Sequence, residues 1–336
     1  GALADLRGQA VVDAQALSYG RTALGSAGAR LELGPEADLH LFAIDPEAGT
    51  LVARMRMEEG SLPYPWTART LAAKDWEMRL DADAYSLAPL AILPPLVSAE
   101  GKLFASLAAR GRMDEIFPTG TLEIRQGAFQ PVGGLRYDRV GLRAALEPGR
   151  VDLAYFEAHG RQGIAVLRGT LEGAPTAFGF DLRLRSREFP VGGSQGVAAF
   201  VTTRGQIEGR LEELLQARIL LEGATVELPS LGGRQLHDLA PPEDVVLFEE
   251  REEEAPGGEL AIAAELEVQE PIRVRAPDLS LDVVLELALN RPAGGELRAT
   301  GTAETQAGRV SLFGRNFTVE TSRASWMESP LANPAL

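Results

Sequence analysis

Apolar and polar residues alternate along most of this chain in short runs with a period of two, the pattern of strands buried on one side. Ala29-Arg-Leu-Glu-Leu, Leu51-Val-Ala-Arg-Met-Arg-Met, Val151-Asp-Leu-Ala-Tyr-Phe and Phe178-Gly-Phe-Asp-Leu-Arg-Leu-Arg are examples. Turn residues punctuate the runs, as in Leu33-Gly34-Pro35, Pro131-Val-Gly133-Gly134 and Glu147-Pro148-Gly149. Glycine, proline and the short polar residues supply the backbone angles a reversal needs. The spacing is that of repeated hairpins and predicts an all-β protein.

One arrangement recurs. An alternating apolar pair leads into a glycine, and the apolar positions resume five residues after the second of the pair. It reads Leu122, Ile124, then Phe129; Ile219, Leu221, then Val226 and Leu228; and Val310, Leu312, then Phe317 and Val319. A step of five flips the face of a strand unless one extra residue is absorbed. Gly127, Gly223 and Gly314 lie inside the gaps, where a β-bulge absorbs it. The pattern predicts an apolar face carried through three bends. Their separation, roughly 90–100 residues, suits units that stack in one dimension.

Two segments, Trp66 to Lys74 and Asp81 to Ile92, read as short helices that plug an open sheet end, the second stopped by Pro94-Pro95. Leu211 to Leu215 reads as a link between strands, with a brief helical turn as the alternative. The longest apolar stretch, Leu87 to Val97, is broken by prolines and falls far short of the about 20 residues of a spanning helix. The least regular stretch is residues 237–259, with Pro241-Pro242 and Phe248-Glu-Glu-Arg-Glu-Glu-Glu, a solvated acidic loop and the best break point. The expected organisation is an N-terminal β segment with short helices over 1–98 and groove repeats over 99–236. The acidic loop over 237–259 and a C-terminal repeat over 260–336 follow.

Composition narrows the function. At 45% hydrophobic residues the chain has the content of a folded protein. A net charge of −15 disfavours a nucleic-acid surface, which needs clustered cations. The absence of cysteine excludes disulfides, thiol catalysis and thiolate metal sites. The chain starts at Gly1 and stops after Asn333-Pro334-Ala335-Leu336, and reads as a piece of a longer protein.

Catalytic motifs are weak. Gly192-Gly193-Ser194-Gln195-Gly196 fits G-x-S-x-G, but the esterase elbow needs a helix after the serine. Here Val197-Ala-Ala-Phe-Val-Thr-Thr reads as a strand. His40, His159 and His237 are far apart and lack metal-ligand spacing. Asp81-Ala82-Asp83 reads as a helix N-cap rather than an acid pair. Asn316-Phe317-Thr318 matches a glycosylation acceptor at chance frequency. No residue is assigned to catalysis, metal or cofactor.

An apolar sheet face needs a cover. A second sheet would make a sandwich. The alternative is a sheet folded lengthwise into a trough, with apolar side chains inside and polar ones outside. Such a trough suits acyl chains, whose burial contributes about 0.8 kcal/mol per CH₂. With roughly 20 strands at about 4.8 Å it would run on the order of 100 Å, a track rather than a pocket.

The stretch GELRATGTAETQAGRVSLFGRNFTVETSRASWMESPLANPAL resembles the C-terminal region of the TamB family (translocation and assembly module). Gly308-Arg-Val-Ser-Leu-Phe-Gly314-Arg315, Phe317-Thr-Val319 and Asn333-Pro334-x-Leu336 carry the likeness. Two departures are Ser322-Arg323 in place of a glycine and Trp326-Met327 in place of a φ-x-Phe ending. GTLEIRQGAFQPVGGLRYDRVGLRAAL and GRVDLAYFEAHGRQGIAVLRGTLEG extend the resemblance back to Ala99. It implies a hydrophobic β groove, the β-taco of AsmA-like proteins, in the periplasm, anchored in the inner membrane outside this chain. It also implies a TamA-like outer-membrane barrel as partner.

The expectation is therefore a non-catalytic conduit for phospholipid between the two membranes. Acyl chains would lie against Leu122, Ile124, Phe129, Ile219, Leu221, Val226, Leu228, Val310, Leu312, Phe317 and Val319. The alternative is a scaffold that templates outer-membrane barrel strands on its exposed edges. A β-structured enzyme or adhesin lacks a convergent polar site to support it.

Overall fold

The computed structural model describes residues 7–19, 22–34, 37–47, 49–57, 74–92, 96–112, 117–131, 134–174, 177–192, 198–210, 214–228, 261–312, 315–330 and 335. The chain divides into two compact units, Gly1–Leu182 and Arg183–Leu336. The fold is all-β, and a single 3-10 helix, Ala88–Ile92, stands among the described residues.

The first unit holds β1 (Gly8–Tyr19), β2 (Thr22–Leu33), β3 (Ala37–Ile44), β4 (Thr50–Met57), β5 (Asp75–Ser86), β6 (Leu96–Arg112), β7 (Thr119–Pro131), β8 (Tyr137–Glu147), β9 (Arg150–His159) and β10 (Ile164–Ala174). β11 (Ala177–Val191) runs across the boundary between the units. From β1 to β10 every strand pairs antiparallel with the next, a continuous meander. Most of these ladders close over a short connection, the exception being the stretch between β4 and β5, so little chain entropy opposes most added strands.

The second unit continues with β12 (Ala198–Arg210), β13 (Leu214–Glu227), β14 (Ala261–Val268), β15 (Ile272–Ala276), β16 (Leu279–Arg291), β17 (Arg298–Leu312), β18 (Arg315–Val319) and β19 (Ser322–Pro330). Here one connection is parallel, and β18 and β19 both pair with β17. β14 and β15 lie end to end beside β13 and run parallel to it, Leu214 opposite Ala261 and Val226 opposite Val274. β14 therefore begins beside the first residues of β13. A parallel connection needs a dozen or more residues, and residues 229–260 supply it.

Several expectations change. Asp81 to Ser86 is the end of β5, and only Ala88–Ile92 turns helical. The alternation Trp76, Met78, Leu80, Ala82 has the strand period, and cross-strand pairing with β4 and β6 prevails over local helix propensity. Asp81 is consequently no helix cap; its carboxylate accepts a hydrogen bond from Ser106 Oγ at 2.8 Å. Leu214 and Leu215 belong to β13. Residues 66–73, Ser194 and residues 237–259 lie outside the described residues. β12 begins four residues after Ser194, a strand where an esterase elbow places a helix.

The tightest packing sits at one end of β3–β5. Met57 is 1% exposed, Ala37 and Trp76 join it, and Leu33, Met55 and Met78 surround them. Nearby, Asp45 follows β3 and is buried. Its carboxylate accepts hydrogen bonds from the amides of Glu47, Gly49 and Ser86 at 2.8, 2.9 and 2.6 Å. Lys102 Nζ stands 3.4 Å from it. Burial opposes the charge on Asp45, but these donors outweigh it and hold its pKa below the ordinary value.

Candidate functional site: a ranked apolar face

Residues directly opposite across a ladder share a face, so the register converts sequence positions into ranks that cross the sheet. In the first unit one rank reads Ala14, Ala27, Ala43, Leu51, Ala82, Ala105, Leu122, Ala144, Leu153 and Gly169. A second carries Tyr85, Leu103, Ile124, Leu142, Phe156 and Leu167. On the other side of the first, Leu41, Ala53, Leu80, Leu107 and Gly120 stand in line. Leu122 and Ile124 thus sit side by side within a face that is apolar from β1 to β10.

The opposite face is charged. Asp38 lies between Glu32 and Arg56 in one rank, and His40 between Arg30 and Arg54 in another. Arg54 grips Asp38 with its Nη2 at 2.7 Å, and this hydrogen bond above all holds the Asp38 carboxyl below its usual pKa. Phe104, an aromatic on this side, is roofed by the Arg125 guanidinium 4.4 Å from its ring centre.

The bend in β7 forms as the spacing requires. Opposite Glu100 and Lys102 of β6 stand Ala128 and Arg125 of β7, so three residue steps face two. Gln126 takes the left-handed conformation, φ 51°. Gly127 is needed for a different reason. A side chain there would meet the Val140 carbonyl at 2.7 Å, and one on Gly101 opposite would meet the Gly127 Cα at 2.6 Å. The two backbones touch at the bulge. Beyond it Phe129 pairs with Ala99 and Tyr137, its ring centre 5.2 Å from the tyrosine's.

In the second unit Ile219 stands between Gly205 and Leu266, in a rank that runs on through Leu287 and Gly301 to Trp326. Leu221 is opposite Thr203 and Val268. One residue of β12 then faces two of β13 at Glu222, and the bulge returns Val226 to the same side, between Ala199 and Val274. Leu228 follows, its amide donating to the Arg275 carbonyl at 2.8 Å. Gly223 is not forced: the nearest atom to an added side chain is Glu270 Oε2 at 3.9 Å.

The third bend is not a bulge. Val310 pairs with Phe317, Gly308 with Val319 and Leu312 with Arg315, so residues 310–319 form a hairpin between β17 and β18. A two-residue connection changes strand parity just as a bulge does, and so gives the same spacing of five. Val310, Phe317 and Val319 still share one side. The bulge that keeps β17 in phase lies at Gln306, between the pairs Ala307–Asp282 and Thr305–Val283.

Hydroxyls on this face escaped the sequence reading. Thr203 and Thr305 are buried at 6% and 7% exposure. Each is matched by a serine, Ser186 Oγ at 3.0 Å from Thr203 Oγ1 and Ser322 Oγ at 2.8 Å from Thr305 Oγ1. Both pairs stand beside bulges, where the broken ladder leaves polar groups to satisfy. At the outer edge of β19, Ser325 and Ala335 exchange two backbone hydrogen bonds of 2.8 Å.

Comparison with known proteins gives one match. A family model described as the TamB C-terminal domain matches residues 155–336, more than half of the chain. No curated protein and no solved structure matches it.

Proposed function

This chain belongs to the TamB family, a non-enzymatic transport and assembly module of the cell envelope, and from that premise we propose that its apolar faces bind phospholipid acyl chains as a conduit between the inner and outer membranes. The observation that carries this reading is the rank order. Leu122 and Ile124 in one unit, and Ile219 and Val226 in the other, stand in unbroken apolar ranks while the reverse side of the strands carries the charge. Most of these side chains are only half-buried, and the described residues contain no second sheet to cover them. Contiguous apolar surface beyond a few hundred Å² marks a binding surface. Head groups would remain in water, and direction would come from a source or sink outside these residues. The periplasm is the compartment this reading requires.

Photocrosslinking tests it. A photoreactive residue at Ile124 or Ile219 should capture phospholipid, and one at the outward neighbours Glu123 or Arg218 should not. Equal capture from both sides would defeat the proposal.

A second reading, a scaffold for outer-membrane barrel strands with a TamA-like barrel as partner, draws support from the β19 edge. That edge already takes up Ala335 by backbone pairing, the geometry of strand addition. Arg323→Pro removes a backbone donor from this edge and leaves the apolar face intact. A conduit keeps its lipid capture in this variant; a scaffold loses its function.

A further inference from the structure

The rank through Ile219 and Leu266 fixes the apolar side of the strands from β12 to β19, because residues two apart on a strand share its face. At the paired positions of that side no carboxylate stands among the described residues. Two charged residues stand there, and both are arginine. Arg291 follows Leu285, Leu287 and Leu289 in the alternation of β16 and lies opposite Ile262. Arg315 precedes Phe317 and Val319 in the alternation of β18 and is paired with Leu312.

Their places are alike. Arg291 is the last residue of β16 and Arg315 the first of β18. β17 runs antiparallel to β16, with Arg298 opposite Asn290 and Val310 opposite Leu279. The two arginines therefore mark opposite ends of the strands, one at each margin of the apolar side. Arg291 is half-buried and its Nε is buried, the state of an arginine whose stem covers apolar surface. Arg315 is exposed and has no ion-pair partner among the described residues.

Arginines of the reverse side have another setting. Arg204 meets Glu222 at 2.7 Å, Arg218 meets Glu265 at 3.0 Å and Arg323 meets Glu304 at 3.2 Å. Outward charges are thus matched across the ladders. On the apolar side the register supplies guanidinium groups only. A guanidinium presents a planar fork of donors that fits a phosphate bidentately. A phospholipid offers the matching pattern, apolar chains with one phosphate at their end.

We infer that Arg291 and Arg315 bind the head-group phosphates of phospholipids at the two margins, with the chains on the ranks between them. Each arginine serves its own margin. Leu279 and Arg291 are the two ends of a 13-residue strand, about 40 Å of extended chain. The chains of one leaflet span about 15 Å, half of a hydrocarbon core of about 30 Å. The inference rests on the conduit reading and adds a chemical requirement to it. Lipid that carries a phosphate is preferred over neutral lipid with the same chains.

Two soluble short-chain lipids test it, a phosphatidylglycerol and the diacylglycerol with the same chains, each titrated into the protein and followed by native mass spectrometry. The wild-type chain should prefer the phosphatidylglycerol by on the order of tenfold or more, the worth of one charge-assisted hydrogen bond. Arg291→Gln with Arg315→Gln should remove most of that preference. Arg291→Lys with Arg315→Lys keeps the charge and loses the fork, and should restore part of it. Equal binding of the two lipids by the wild-type chain, or an intact preference in the folded double Gln variant, would overturn the inference and leave the conduit standing. Binding of neither lipid would overturn both. Inorganic phosphate alone should bind far more weakly than the phosphatidylglycerol; equal binding would make the arginines a site for the free anion and overturn the inference as well. Where circular dichroism shows the double variant unfolded, Arg315→Gln alone, at an exposed position, should lose part of the preference, and no loss would overturn the inference.

Discussion

Single residues hold this fold where the ladders cannot. Asp45 is the clearest case, a carboxylate with 1% of its side chain exposed that ties the β3–β4 turn to the end of β5 through three amides. Hydrogen bonds to a charged group contribute about 1.5–3 kcal/mol each, and a buried donor left without its partner costs about 1–3 kcal/mol. Because the folded pKa is depressed, the stabilisation is fully present above the unfolded value of about 3.9. It is lost as the pH falls through the lower folded value. Asp45→Asn keeps the shape and removes the charge. It should lower the midpoint of urea unfolding at pH 7 and flatten the acid limb of the stability profile below about pH 4. An unchanged acid limb would show that other carboxylates set it.

At the scale of strands and turns, the bulges decide where an apolar face survives. Gly127 lies against the Val140 carbonyl while Gly223 has open space around it, so the same substitution should act oppositely at the two sites. Gly127→Ala forces two backbones apart and should destabilise by about 1–3 kcal/mol, in the range of overpacking. Gly223→Ala should be neutral or stabilising by up to about 1 kcal/mol, since alanine loses less backbone freedom on folding. Chemical denaturation of both variants checks the contrast. The sequence revealed the face itself, because alternation and a step of five follow directly from strand geometry. It left the device open: a bulge and a two-residue hairpin change parity alike, so residues 310–319 fit a kink and form a turn. The strand at Asp81 to Ser86 was hidden for another reason. Its six residues carry the strand period only as a continuation of Trp76, Met78 and Leu80, and pairing with β4 and β6 fixes it. The pairs Ser186–Thr203 and Thr305–Ser322 are invisible until the register brings together residues 17 apart.

The molecule as a whole is two units, each assembled from strands that mostly pair with their chain neighbours. Such an architecture gains stability strand by strand, and its apolar ranks exist only because every ladder keeps register. The parallel pairing of β13 with β14 and β15 is the one described departure from antiparallel pairing, and it could not be read from the pattern, since parallel and antiparallel partners alternate alike. The choice of probe also follows from the structure. Leu221 is 7% exposed, so a charge there threatens folding. Ile124 and Ile219 are half-buried on the same faces and report on the surface itself. An unpaired charge in apolar surroundings costs several kcal/mol, enough to expel a bound chain. The most direct test is native mass spectrometry of the purified protein with extraction and identification of bound lipid, repeated on Ile124→Glu with Ile219→Glu. Phospholipid that travels with the folded wild-type chain and is lost from the folded double variant is the predicted result. A folded wild-type chain that carries no phospholipid and takes none up when offered would contradict the account.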